Sequence, residues 1–140
     1  MIDPDRVLAD LEVDEGFKPH VYKDSEGYDT IGHGILVDAR KGGGITVDES
    51  RMLLRNRLML AIHRLDKLRP GWRIYPGRVS DALANMAYQM GADGLNGFTK
   101  MWAALDREDF EAAADEALDS KWAKQTPNRA RRMANLIRSA

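Results

Sequence analysis

The segment from Thr46 to Gly71 constrains the fold more than any other part of the chain. Thr46-Val47-Asp48-Glu49 is a reciprocal helix start, with threonine at the cap and glutamate three residues later satisfying exposed amides. Leu54, Leu58, Ile62 and Leu65 then recur at helical spacing until Pro70-Gly71 stops the run. A helix of roughly 22 residues is about 33 Å long at 1.5 Å per residue, long enough to bridge two lobes. With 140 residues and 44% apolar content, the chain can build one core or two small lobes sharing one.

Around that helix the punctuation changes character. Pro4 to Leu11 opens a first helix whose pattern ends near Gly16, with Val7, Leu8 and Leu11 on one stripe. Residues 21–37 alternate and turn, which predicts short strands joined by tight turns. Beyond Pro70 the pattern is helical: about Arg78 to Met90, shorter helices from about Thr99 and Asp109, and a last one from Thr126-Pro127. The expected fold is α+β and mainly α. An α+β lobe covers about 1–45, a linking helix 46–70 and a helical lobe 71–140.

Composition removes several chemistries. The chain has no cysteine, which excludes disulfides, thiolate catalysis and Cys-ligated metal sites. His20, His33 and His63 share no ligand spacing, so neither metal nor cofactor is expected. No apolar run approaches the roughly 20 residues of a membrane span. The opening Met-Ile-Asp-Pro-Asp-Arg reads as neither secretory signal nor anchor. The net charge of −1 hides an uneven distribution: residues 1–30 hold nine acids and three bases, while 120–140 hold six bases and no acid. A basic flank beside an acidic region suits a polyanionic substrate, although two complementary solvated surfaces would give the same pattern. Nucleic acid is not expected, because the basic segment has no interleaved aromatics and no reader motif.

Residues 15–30 read E-G-F-K-P-H-V-Y-K-D-S-E-G-Y-D-T, with Glu15 and Asp24 nine positions apart and Thr30 six further on. A helix end, a bend and a hairpin would carry these three oxygen-bearing side chains to one surface. A paired acid and carboxylate is the requirement of glycoside hydrolysis. A protonated Glu15 near neutral pH calls for desolvation against Val13, Phe17 or Tyr22, while Asp24 in a wetter turn stays ionised. Solvated loops share this composition, and an isolated threonine is usually an ordinary strand residue. Order, not composition, has to carry the reading.

That order resembles the phage-type lysozymes, the muramidases of T-even phage and their relatives. Leu11 to Leu36 is similar to the E-G…Y-x-D-x-x-G-Y-x-T-I-G stretch of that family. Ala84-Asn85-Met86-Ala87-Tyr88-Gln89-Met90-Gly91, followed by Gly97-Phe98-Thr99, resembles its central helix and next turn. Lys121 to Ala130 resembles its W-x-x-Q-T-P-N-R-A segment. The resemblance implies a lysozyme-like fold and a muramidase cutting peptidoglycan between N-acetylmuramic acid and N-acetylglucosamine. It makes Glu15 the proton donor, Asp24 its partner carboxylate and Thr30 a holder of the attacking water. Leu36, Tyr88, Met101 and Glu116 match sugar-binding positions. Arg129 matches a basic residue near the proton donor, and Gln89 is a second supporting residue. One departure stands out: Gly32-His33-Gly34-Ile35 puts histidine two places earlier than the family's G-x-G-H.

The expectation is therefore a monomeric muramidase of endolysin type, inverting, waiting in the host cytoplasm until holin-dependent release and acting on the cell wall. The lysozyme component of a virion would share the same residues. The competing reading is a catalytically weak or inactive peptidoglycan-binding or virion structural module of the same fold. A third, action on chitin-like polymers, needs only the same acid pair. Trp102 and Trp122 read as helical core rather than sugar platforms.

Overall fold

The computed structural model describes residues 3–140; Met1 and Ile2 of the polar opening lie outside them. Helix α1 spans Pro4–Glu15. Three strands follow, β1 at Lys18–Lys23, β2 at Asp29–Gly32 and β3 at Ile35–Leu36, forming an antiparallel sheet in the order β1-β2-β3. Seven helices complete the described chain: α2 (Val47–Leu68), α3 (Val79–Met90), α4 (Ala92–Asn96), α5 (Thr99–Asp106), α6 (Phe110–Leu118), α7 (Lys121–Gln125) and α8 (Pro127–Arg138). A 3-10 turn occupies Trp72–Ile74. The result is 64% helix with one small sheet, an α+β fold of lysozyme-like type. No helix among the described residues is long and apolar enough to cross a membrane.

The chain divides into two compact units, one reaching to Arg51 and the other Met52–Ala140, so the division falls inside α2 and not before it. The reciprocal cap of α2 forms as the sequence predicts. Glu49 N–H donates to Thr46 Oγ1 at 3.2 Å, and Thr46 N–H donates to Glu49 Oε2 at 2.7 Å. Its apolar stripe is buried only at one end: Leu65 is 0% exposed, whereas Leu54 is 49% exposed. The other helix start behaves differently. Thr126 precedes Pro127, but its hydroxyl donates back to Trp122 O at 3.1 Å instead of capping α8. Proline at the first helical position has no N–H to satisfy, so the cap is less needed there.

The core lies in the second unit. Leu65, Leu83, Met86, Leu95, Trp102, Leu105 and Ile137 are fully or almost fully buried. Helices α6 and α8 pack together, and both bury small residues: Ala113, Ala114 and Ala117 of α6 and Ala130 and Ala134 of α8 are all 0% exposed. Small side chains permit close helix packing, and Met133 and Ile137 of α8 are buried as well. Arg138 of α8 then bonds Glu111 and Asp115 across the same helix pair. The buried Trp102 indole keeps its hydrogen bond by donating to Leu95 O at 2.9 Å. Asp66 accepts from Trp72 Nε1 at 2.7 Å and from Arg73, whose guanidinium holds that carboxyl down at about 2.

The α5–α6 junction is a closed helix end, with Asp109 N–H bonded to Ala104 O and Glu108 N–H to Leu105 O. It places Glu108 at φ 59, the left-handed position usually given to glycine. Left-handed backbone costs an L-residue about 1–2 kcal/mol, partly offset by glycine's greater unfolded freedom. Glu108→Gly should therefore raise stability by roughly 0.5–1 kcal/mol, read as a higher urea midpoint at unchanged slope. A lower midpoint would mean that the Glu108 side chain contributes more than its backbone costs.

Candidate active site

Helix α1 delivers Glu15 as its last residue, and Gly16 ends it with φ 65 and ψ −177. That conformation is essentially confined to glycine, so the chain can turn sharply only here. The turn brings the helix end against the β2–β3 hairpin. Phe17 packs on His33 with ring centroids 5.2 Å apart. The Glu15 carboxylate lies over Gly34, where an added Cβ would stand 2.2 Å from Oε2. Gly34 is itself at φ +63, so the tight hairpin and the approach of Glu15 both require glycine. The early histidine thus supports Phe17 at this junction.

The apolar shelter expected around Glu15 does not form. Val13 is 83% exposed and Phe17 65%, Tyr22 is half-buried, and Glu15 itself is exposed. The reason is local: Glu15 closes the helix and leans on the backbone of a hairpin turn.

Asp24 organises the β1–β2 turn. Its Oδ1 accepts from the N–H groups of Glu26 and Tyr28, both at 2.9 Å, a local arrangement that aspartate favours in turns. Among the described residues Oδ2 has no hydrogen-bond partner, so one carboxylate oxygen holds the turn and the other is free to act. Next to it, Lys23 and Asp29 face each other across the strands and form an ion pair at 2.5 Å.

Thr30 stands in the middle strand, 4% exposed, and is the one buried residue between Asp3 and Arg51. Its hydroxyl donates to Tyr28 O at 3.3 Å, which satisfies a buried polar group. Register pairs Tyr22 with Thr30 and Thr30 with Leu36. Directly opposed residues share a sheet face, so these three form a row with the hydroxyl at its centre. Lys18 lies over the Tyr22 ring at 4.2 Å and covers one end of the row. Leu36 also borders a hollow of ≈ 430 Å³ formed with residues of the following loop.

The other sequence-derived positions belong to the second unit and form two groups. Tyr88, Gln89 and Arg129 line a pocket of ≈ 510 Å³ with Arg57 and Leu60. Arg129 donates through Nε to Asn85 Oδ1 at 2.8 Å, and Gln89 Oε1 accepts from Trp122 Nε1 at 2.8 Å. Two of the three motif segments are thereby tied together through α3. Met101 and Glu116 line a second pocket, ≈ 370 Å³, with Phe98, Lys100 and Ser120. Met101 is only 1% exposed, so it is mostly core and contributes wall, whereas Glu116 is half-buried and presents its carboxylate. Among the described residues no three His, Asp or Glu side chains converge as metal ligands.

Sequence reasoning missed Tyr28. Its N–H binds Asp24, and its carbonyl accepts from both Asp24 N–H, at 2.9 Å, and Thr30. The available signal was its position between two candidate residues, Asp24 and Thr30.

The model of the phage lysozyme family matches residues 12–138. The pre-baseplate central spike protein Gp5 of Enterobacteria phage T4 is 32% identical over 160 aligned positions, covering 96% of this chain and 28% of that protein. Two probable T4-type lysozymes of Dictyostelium discoideum, numbered 2 and 1, are each 29% identical, covering 91% of this chain and 90% of theirs. The chain thus spans about 28% of the spike protein's length but nearly all of the Dictyostelium proteins.

Replacing Gly34 by alanine should push the Glu15 carboxyl aside and strain the hairpin by about 1–2 kcal/mol. Urea unfolding measures the strain, and the chemical shift of the Glu15 carboxyl carbon measures the displacement. A variant with unchanged stability and an unmoved carboxyl signal would contradict this account of the junction.

Proposed function

The chain belongs to the phage lysozyme family, and on that premise we propose that it is a peptidoglycan muramidase hydrolysing the β-1,4 bond between N-acetylmuramic acid and N-acetylglucosamine. The observation that carries this reading is the junction of α1 with the hairpin. There a carboxylic acid, Glu15, leans on the β2–β3 turn of a small sheet whose middle strand carries a hydroxyl, Thr30, and whose other turn carries a second carboxylate, Asp24.

In this mechanism Glu15 protonates the leaving oxygen of the scissile bond. Glu15 is exposed in the free protein, so exclusion of water around the reacting bond falls to the bound polymer. Asp24 uses Oδ1 for the turn and Oδ2 to orient and deprotonate water. The Thr30 hydroxyl keeps acceptor capacity after donating to Tyr28 O and shares that water. Attack from the face opposite Glu15 inverts the anomeric centre, a geometry in which the two carboxyl groups stand about 6.5–9.5 Å apart. Leu36, Tyr88, Met101 and Glu116 are proposed to contact the sugars, with Arg129 and Gln89 in support. The basic C-terminal segment would draw the enzyme towards the anionic wall.

The biological setting proposed is that of an endolysin acting as a monomer, held in the host cytoplasm until a holin opens the membrane. A second reading has a specific observation behind it. Similarity to a central spike protein over 28% of its length favours a lytic unit carried by a virion.

Glu15→Gln should abolish release of reducing ends from purified peptidoglycan, by roughly 10²–10⁴-fold, with stability unchanged. Asp24→Asn retains the Oδ1 acceptor that closes the turn and should lose activity while folding normally. Thr30→Val removes the hydroxyl but leaves Tyr28 O bonded to Asp24 N–H, so it too should lose turnover at little cost in stability. Near wild-type release by Glu15→Gln would remove it as the acid. Soluble chitooligosaccharides cleaved as fast as peptidoglycan would displace the proposed substrate.

A further inference from the structure

We propose that Tyr28 is a positioning residue that sets Asp24 and Thr30 relative to each other, and that Lys41 clamps it from the following loop. The proposal rests on the muramidase reading above and goes further by assigning control of the water-holding pair to residues outside the acid pair.

The Tyr28 backbone is the shared partner of both groups. It donates to Asp24 Oδ1, and its carbonyl accepts from Asp24 N–H and from the Thr30 hydroxyl. A small rotation of this residue would move the free carboxylate oxygen and the hydroxyl together. The half-buried Tyr28 ring lies under the Lys41 ammonium, with Nζ 5.3 Å from its centroid. That same Nζ would be 3.6 Å from a Cβ added at Gly27, so it stands close to the turn as well as over the ring. Lys41 has no carboxylate partner within ion-pair distance among the described residues, and its ammonium stands over the ring.

The loop carrying Lys41 is itself held. The Asp38 carboxylate accepts from Arg40 N at 2.7 Å, from Gly44 N at 3.1 Å and from the Arg40 guanidinium. These donors, the guanidinium first, keep that carboxyl well below the usual carboxylate range. Gly43 must be glycine, because an added Cβ would stand 2.2 Å from Asp38 Cγ. Val37 N–H donates to Asp29 O at 2.8 Å and anchors the near end beside Tyr28. The loop therefore has a fixed base and presents Lys41 to the turn. A lysine over an aromatic face at an exposed site is worth about a two- to fivefold bias between held and released states.

The test compares Lys41→Met, Tyr28→Leu and their double variant with Lys41→Arg and Tyr28→Phe, which keep the cation and the ring. Amide exchange at Asp24 and Tyr28, followed by NMR, reads the clamp without reference to catalysis. Lys41→Met and Tyr28→Leu should each speed exchange at both amides by about two- to fivefold, leaving Trp102 unchanged. Lys41→Arg and Tyr28→Phe should match the wild type. On peptidoglycan, kcat should fall by a similar factor at constant KM, and the double variant should be no slower than the slower single one. Unchanged exchange in Lys41→Met overturns the proposal, as do additive losses in kcat. A raised KM at constant kcat also overturns it, because Lys41 would then contact substrate directly. If the wild-type protein releases no reducing ends, the muramidase reading fails, and exchange alone decides the clamp.

Discussion

The first unit is organised by the hydrogen bonds that Asp24 and Tyr28 exchange across the β1–β2 turn. Asp24 Oδ1 takes two backbone N–H groups, and Tyr28 O returns a bond to Asp24 N–H. These contacts fix where β2 begins, and so the register that sets Thr30 between Tyr22 and Leu36. With Thr30 the one buried residue between Asp3 and Arg51, the unit depends on hydrogen bonds and turn geometry to a degree the helical unit does not. Polar groups that would merely decorate another surface here determine the backbone. That explains how one carboxylate can serve both the fold and the proposed chemistry.

The helical unit solves a different problem. Its core is apolar and continuous, and includes buried alanines of α6 and α8 and the tryptophans Trp72, Trp102 and Trp122. The conspicuous polar motif residues Asn85, Gln89 and Arg129 hold α3 to the α7–α8 segment by side-chain hydrogen bonds. A motif that reads as a functional signature is therefore partly a structural fastening. Tyr88 stands beside these residues with 37% of its surface exposed, so it is available for contact while they are engaged.

Much of this was legible because it is local. The start of α2 at Thr46-Glu49, its stop before Pro70-Gly71, and the helices following Thr99, Asp109 and Pro127 all follow from residues within one turn of the boundary. The membership of β1 was harder: Pro19 signals the end of a helix, yet it sits inside a strand. β3 has only two residues, too few for a periodic signal, and α4 follows α3 directly through Gly91. For the site, the order of Glu15, Asp24 and Thr30 carried the reading. Exposure of Val13 and Phe17 was not legible, since which apolar residues find a partner depends on packing. Tyr28 acts through its backbone, and a side-chain search passes over such a residue.

In the proposed mechanism Asp24 and Thr30, joined through Tyr28, hold water for direct displacement at the anomeric carbon. The anomeric configuration of the first-formed reducing sugar tests this most directly. Proton NMR of a peptidoglycan digest, recorded before mutarotation, should show the α anomer. A β anomer as first product would contradict the water-holding role and make Asp24 a covalent nucleophile.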